Sequence, residues 1–556
     1  MLEIRDLRVS FDGDDGEVRA VDGVDLTLER GRTLCVVGES GSGKSATARA
    51  ILQLLGPAGR VAGGRILHRP LPDSDVTDLA ALDPMGPAIR AVRGREIGLV
   101  FQEPSASLSP VHTIGNQIAE VLAVHEGIKP RDSRERVIQE LRRVGIPRAE
   151  ERVDAYTFQL SGGMRQRAAI AMALICRPSL LIADEPTTAL DVTTQAQILD
   201  LLAELKESLG MTLMFITHDL GVVAEIADDV VVMRKGKVVE AGTVEQVFHE
   251  PEHDYTRALL ATLPQRDTAA RAADEAPPEP LLRIKDLRMT FETSSGSIFS
   301  RKRERVEAVG GVSFDVPEGS TVGLVGESGC GKTTLGRCVV RAYRPTAGEI
   351  LYRRSDGAVV DLATLPGRDL LPYRREIRMV FQDPYGSLNP RMTVGQVVGE
   401  PLVVSGVEDV EDRVAAMIEK VGLPRAALNR YPHAFSGGER QRIGIARALI
   451  SEPRLVIADE AVSALDVSIR GQILDLMAEL QRDLGLTYLF VSHDLSVVEK
   501  VCDRVVVMYF GKVVEEGTVA EVFGDPKHGY TRALLSAVPV PDPDLRDTRE
   551  RLAYSG

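Results

Sequence analysis

Short apolar, β-branched runs recur along the chain, and each closes on a glycine or a polar pair. Residues 33–38 (TLCVVG), 180–184 (LLIAD) and 212–216 (TLMFI) read as buried strands, as do 321–326 (TVGLVG), 455–459 (LVIAD) and 487–491 (TYLFV). Ile198, Leu201, Leu202, Leu205 and Leu209 recur at helical spacing between two of these strands, and Gly210 stands where a C-cap would. Ile473, Leu476, Met477, Leu480, Leu484 and Gly485 repeat the pattern. Strands alternating with helices predict an α/β fold with a largely parallel sheet, built twice.

The duplication is visible in the letters. LEIRDLRVSF at 2–11 returns as LRIKDLRMTF at 282–291, and GESGSGKS at 38–45 as GESGCGKT at 326–333. FQEP (101–104) matches FQDP (381–384), LSGGMRQR (160–167) matches FSGGERQR (435–442), and IADEPTTALD (182–191) matches IADEAVSALD (457–466). THDL and SHDL follow, then HDYTRALL (253–260) and HGYTRALL (528–535). The offset between copies moves from 280 to 288, back to 280 and then to 275, so insertions fall in loops while these blocks stay intact. The Ala-, Pro- and charge-rich stretch after residue 265 reads as a flexible linker. We therefore expect domains at 1–265 and 282–540, a linker at 266–281 and a short tail at 541–556. The basic run RKRER at 301–305 reads as a solvated loop, with acidic lipid or a partner as the sharper alternative.

Composition narrows the function. With 81 acidic and 67 basic residues the net charge is −14, which argues against general nucleic-acid binding, since phosphate affinity comes mainly from Lys and Arg. No apolar run reaches the ~18–20 residues of a membrane span, and the N-terminus does not read as a signal peptide. Five scattered cysteines without a C-x2-C pair predict neither a disulfide framework nor a zinc site.

The chemistry lies in the repeated blocks. G-x4-G-K-[ST] after a strand and before a helix is a phosphate loop, whose glycines turn N–H groups toward phosphate oxygens. Gly38, Ser40, Gly41, Ser42, Gly43, Lys44, Ser45 and Ala46 form the first such loop; Gly326, Ser328, Gly329, Cys330, Gly331, Lys332, Thr333 and Thr334 form the second. Lys44 and Lys332 supply charge to β- and γ-phosphates, and the Ser45 and Thr333 hydroxyls suit Mg2+. Cys330 reads as a small residue that fits where the first copy has Ser42. Asp184-Glu185 and Asp459-Glu460 put adjacent carboxylates at strand ends, costly unless a magnesium–phosphate site partners them. The Asp would hold the ion and the Glu would activate water. His218 and His493 follow strands at matching positions and suit donation to a γ-phosphate.

S-G-G-x-x-Q-R between a phosphate loop and an acidic strand end resembles the signature of ATP-binding cassette ATPases, and nearly the whole chain shares the resemblance. It implies two P-loop ATPase domains, each a parallel-sheet core with a helical subdomain, paired head to tail. Ser161, Gly162 and Gly163 would then cap ATP held by Lys332, and Ser436, Gly437 and Gly438 would cap ATP held by Lys44. Gln102 and Gln382 would touch Mg2+ and the attacking water, Asp191 and Asp466 would be the D-loop aspartates, and Phe11 and Phe291 would stack on adenine. Ala461-Val462 departs from Pro186-Thr187 but leaves Glu460 in place, so both sites are expected to hydrolyse ATP.

FQEPSASLSP, FQDPYGSLNP and H-x-Y-T-R-A-L-L are similar to ATPases of oligopeptide, dipeptide and nickel importers. This implies two permease subunits, a substrate-binding protein acting through them, and a peripheral place on the cytoplasmic face of the membrane. The last cysteine, Cys502, precedes the segment where such relatives carry an iron–sulfur cluster, so none is expected. The rival readings are a soluble twin-cassette translation factor and a nickel or metallophore importer ATPase. The short Pro-rich linker and acidic balance weigh against the first.

Overall fold

In a computed structural model of the chain, residues 1–13, 16–188, 190–261, 278–295, 302–463, 465–546, 548 and 550–554 are described. The chain divides into two units. The first gathers Met1–Leu190, Thr194–Leu263 and Pro539–Arg549; the second gathers Asp191–Thr193, Pro264–Val538 and Glu550–Gly556. Residues 266–277 of the expected linker and Arg301 of the basic run lie outside the described residues. The strand Pro280–Ser295 already begins at the end of the linker segment.

The three apolar runs of the first unit become strands Thr33–Val37, Leu180–Asp184 and Thr212–Ile216, every residue buried. They join Ile97–Val100 and Asp229–Arg234 in a parallel arrangement, with Lys237–Thr243 added antiparallel at one edge. Leu34, Val36, Ile182, Met214 and Ile216 face one core, while Cys35, Val37, Leu181, Ala183, Leu213 and Phe215 face another. Both faces are covered, so these strands are apolar at every position rather than alternating. The second unit repeats the sheet with Thr321–Val325, Leu455–Asp459 and Thr487–Val491 at its centre.

The expected helices form at Val192–Leu209 and Val467–Leu484. Gly485 closes the second in the left-handed conformation (φ 63°). Helices Ile114–Glu126, Pro130–Arg143 and Gly162–Leu174 share the helical-side core of the first unit.

Each unit also carries a four-stranded antiparallel sheet, which the periodicity does not reveal. In the first unit Leu2–Gly13 pairs with Gly16–Leu28 and Gly59–His68. Its register shifts between Ile4 and Leu7 and again after Leu7, and these bulges break the period-2 signal.

Candidate active site

Strand order sets the site. Thr212–Ile216 lies between the strand that feeds the phosphate loop and the strand that ends in Asp184, all three parallel. Their C-terminal ends are level: Glu185 N–H donates to Ile216 O (2.9 Å) and Thr217 N–H to Val36 O (3.3 Å). The loop, the carboxylate pair and His218 therefore emerge at one edge, where parallel α/β sheets place their ligand crevices. The second unit matches it, with Glu460 N–H on Val491 O and Ser492 N–H on Leu324 O.

Gly43 precedes helix Lys44–Ile51 at φ 101°, and a Cβ there would lie 2.5 Å from Ala20 O. Gly331 repeats this at φ 105°, 2.1 Å from Ala308 O, so both loops require glycine here. Lys44 is buried; its Nζ donates to Gly38 O (2.7 Å) and Glu39 O (2.9 Å) and lies 3.5 Å from Ser42 Oγ. Lys332 makes the same bonds to Gly326 O and Glu327 O, with Cys330 Sγ at 3.8 Å. Burial pushes the Cys330 thiol up. Ser40, Gly41, Ser328 and Gly329 are exposed at the loop crests, and Ala46 and Thr334 lie half-buried in the first turns of the following helices.

The hydroxyl of Ser45 donates to Asp184 Oδ1 at 2.7 Å, and Thr333 to Asp459 Oδ1 at 2.9 Å. Burial pushes both aspartates up. Asp184 Oδ2 is buried without a hydrogen-bond partner, which fits a site for a divalent cation. Glu185 and Glu460 sit in the left-handed region at φ 48° and 49°, a strained conformation that recurs at functional sites. Glu185 Oε2 accepts from Gln102 Nε2 and Thr188 Oγ1, both at 2.9 Å, and Oε1 lies 3.2 Å from His218 Nδ1. Glu460 accepts from Gln382 Nε2 at 2.6 Å and lies 3.2 Å from His493 Nδ1. Burial raises both glutamates, but the bonds and charges of the histidines and lysines, with Thr188 or Gln382, outweigh it. Both are held below the ordinary carboxylate range. Each is thus an ionised carboxylate held by two or three side chains, at the edge where the phosphate loop ends.

Comparison with known families and relatives places the chain in a family. The ABC transporter family model matches residues 21–188 and 309–463, spanning both loops and both carboxylate pairs. The chain belongs to the ABC transporter family. It is an ATPase of that family. The model of the oligopeptide/dipeptide transporter C-terminal region matches residues 239–286 and 514–555. The glutathione import ATP-binding protein GsiA of Shigella dysenteriae serotype 1 and that of Escherichia coli K12 are each 48% identical over 100% of this chain and 92% of their own. Among solved structures, the dimeric ABC transporter cassette MJ0796 is 27% identical over 43% of this chain and 98% of its own, with a TM-score of 0.38.

Within each cassette the signature opens a helix. Ser161 caps Gly162–Leu174 by accepting from Met164 N–H, and Ser436 caps Gly437–Leu449 by accepting from Glu439 N–H, both at 3.3 Å. Ser161, Gly162 and Ser436 are exposed. A Cβ on Gly163 would lie 2.5 Å from Thr194 Cγ2, and one on Gly438 2.5 Å from Ile469 Cγ2, so both pack too closely for a side chain. These groups do not enter the hydrogen-bonded set around Glu185 and Glu460. Asp466 caps the helix Val467–Leu484 through Ile469 N–H, and Asp191 accepts from Thr193 Oγ1 at 2.7 Å. Phe11 and Phe291 are half-buried on the antiparallel sheets; Phe291 packs edge-on to Tyr343, ring centroids 5.5 Å apart.

Sequence reasoning missed Thr188 and two tyrosines that touch the phosphate loops, Tyr255 and Tyr530. Their signal was present in the repeated HxYTRALL segment, which spacing alone does not connect to the loops.

Proposed function

We propose that this ATPase powers import of peptides, or a related small solute, through a membrane permease. Support comes from the paired set of phosphate loop, Asp, Glu, Gln and His in both cassettes, joined in one chain to the oligopeptide/dipeptide C-terminal region. The relatives named for glutathione import cover the whole chain, which favours a short peptide as cargo over nickel or a metallophore.

In this reading Lys44 and Lys332 bind the β- and γ-phosphates of ATP. Ser45, Asp184 and Gln102, with Thr333, Asp459 and Gln382 in the other cassette, hold Mg2+, whose charge offsets the phosphates. Glu185 and Glu460 orient the attacking water and accept its proton, a role that needs the ionised carboxylates described above. His218 and His493 donate to the γ-phosphate. Ser161, Gly162, Gly163 and Ser436, Gly437, Gly438 contribute helix N-termini to the nucleotide of the opposite cassette. Two permease subunits, fed outside by a substrate-binding protein, bind the ATPase at the cytoplasmic face of the membrane. Among the described residues no helix is long and apolar enough to cross a membrane, so the spans of the pathway are assigned to the permease.

Deleting the chain from its host and following uptake of labelled glutathione and of di- to pentapeptides tests the proposal. Uptake should be lost and return with the wild-type chain but not with Lys44→Ala/Lys332→Ala. Unchanged uptake, together with salt-sensitive co-sedimentation with ribosomes, would favour the translation-factor reading.

A further inference from the structure

The HDYTRALL and HGYTRALL segments take no part in the hydrolysis geometry above, yet the structure ties both to it. They form helices Asp254–Ala261 and Gly529–Ser536. A carboxylate on the last sheet strand pins the approach to each helix. Glu240 accepts from the N–H groups of Glu252 (2.8 Å) and His253 (3.1 Å), and Glu515 accepts from those of Lys527 (2.7 Å) and His528 (3.0 Å). His253 Nδ1 then accepts Tyr255 N–H at 3.0 Å, and His528 Nδ1 accepts Tyr530 N–H at 3.1 Å. The first turn is thereby fixed, and it aims one buried tyrosine at the phosphate loop.

The Tyr255 hydroxyl accepts the backbone N–H of Glu39 at 3.2 Å; the Tyr530 hydroxyl accepts that of Glu327 at 3.0 Å. These are the residues after the opening glycines, Gly38 and Gly326. The carbonyls of the same two residues accept the loop lysines at 2.9 Å. Each glutamate backbone is therefore held on its N–H side by a tyrosine and on its C=O side by the lysine that meets phosphate. The rings are set by different neighbours, the Arg234 guanidinium 4.6 Å from the Tyr255 centroid and the Tyr509 ring 4.3 Å from that of Tyr530. The hydroxyl contact to the loop is what the two copies share.

We propose that Tyr255 and Tyr530 are positioning residues for ATP binding, through which the oligopeptide-type C-terminal region holds each phosphate loop in its receptive shape. Without the hydroxyl, a part-buried N–H loses its acceptor and must recover one by turning the peptide or admitting water. A glycine-rich loop turns easily, and any turn at Glu39 or Glu327 displaces the carbonyl that the lysine rests on. The cost falls on nucleotide binding. Glu185 and Glu460 sit on other strands, so the chemical step is spared. The inference rests on the nucleotide reading of the loops.

Tyr255→Phe, Tyr530→Phe and the double variant test it in the full chain, with Tyr509→Phe as control because it keeps the ring beside Tyr530. Loss of one neutral hydrogen bond at each loop should raise the KM for ATP about 3- to 10-fold in the double variant. We expect kcat to stay within about twofold and the unfolding midpoint of nucleotide-free protein to move by less than about 2 °C. An unchanged KM with normal kcat overturns the positioning role while leaving the ATPase assignment standing. So does a fall in kcat at constant KM, or a KM rise in Tyr509→Phe equal to that of Tyr530→Phe.

Discussion

His218 Nδ1 stands 3.2 Å from Glu185 Oε1, across the gap between two neighbouring strand ends. The second cassette reproduces the relationship, with His493 and Glu460 at the same distance. Both glutamates are held ionised by a histidine and a glutamine, with Thr188 added at Glu185, and the proposed reading expects both sites to work. Each single substitution, Glu185→Gln or Glu460→Gln, should remove at least half of phosphate release. The double variant should lose about 10²-fold or more. Full activity in either single variant would show that site to be idle.

Ser45 donates to Asp184 Oδ1 beside a second carboxylate oxygen that has no hydrogen-bond partner, and in the proposed reading this hydroxyl would help hold Mg2+. Ser45→Ala with Thr333→Val should raise the Mg2+ concentration for half-maximal ATPase by about 5- to 30-fold, the cost of one charge-assisted contact. A Mg2+ titration at saturating ATP reads this directly.

Cys330 is buried against Lys332, and burial keeps its thiol protonated, so it should be inert. N-ethylmaleimide at neutral pH should leave Cys330 unlabelled in the folded chain by peptide mass spectrometry. Cys330→Ser should leave ATPase within about twofold, since Ser42 fills the same place in the first loop. Inhibition that nucleotide prevents and Cys330→Ser abolishes would mark a reactive thiol.

His68 lies buried at the end of Gly59–His68, with Nε2 3.4 Å from Glu96 Oε2. Burial, with the amino terminus and Arg30, lowers its pKa to about 4 from an ordinary 6.5, although the Met1 backbone opposes this. The folded state therefore stays unprotonated where the unfolded chain takes up a proton. Stability is lost as pH falls from about 6.5 toward 4. Denaturant titrations across that range should show wild type losing about 2–3 kcal/mol relative to His68→Leu. Parallel pH curves for the two would rule this histidine out as the cause.

The buried parallel strands were legible because both faces are covered, so their apolar runs are continuous and end sharply at Gly38, Asp184 and Thr217. The antiparallel sheet was not, because bulges near Leu7 break its alternation. Phosphate loops, carboxylate pairs and histidines could be named from local spacing, since a glycine loop before a helix carries its chemistry in consecutive residues. The partnership of Gln102 with Glu185 spans 83 positions, and that of Tyr255 with Glu39 spans 216.

What the sequence determined by itself was the duplicated α/β pattern and the identity of its reactive groups, because strand burial, glycine turns and strand-end carboxylates are local constraints. Tertiary structure alone decided which groups meet. The order of strands in the sheet brings Glu185 under His218 and Gln102. A carboxylate on the last strand aims Tyr255 and Tyr530 at the loops. Hydrogen bonds between residues far apart in the chain depend on topology, and no local period encodes them.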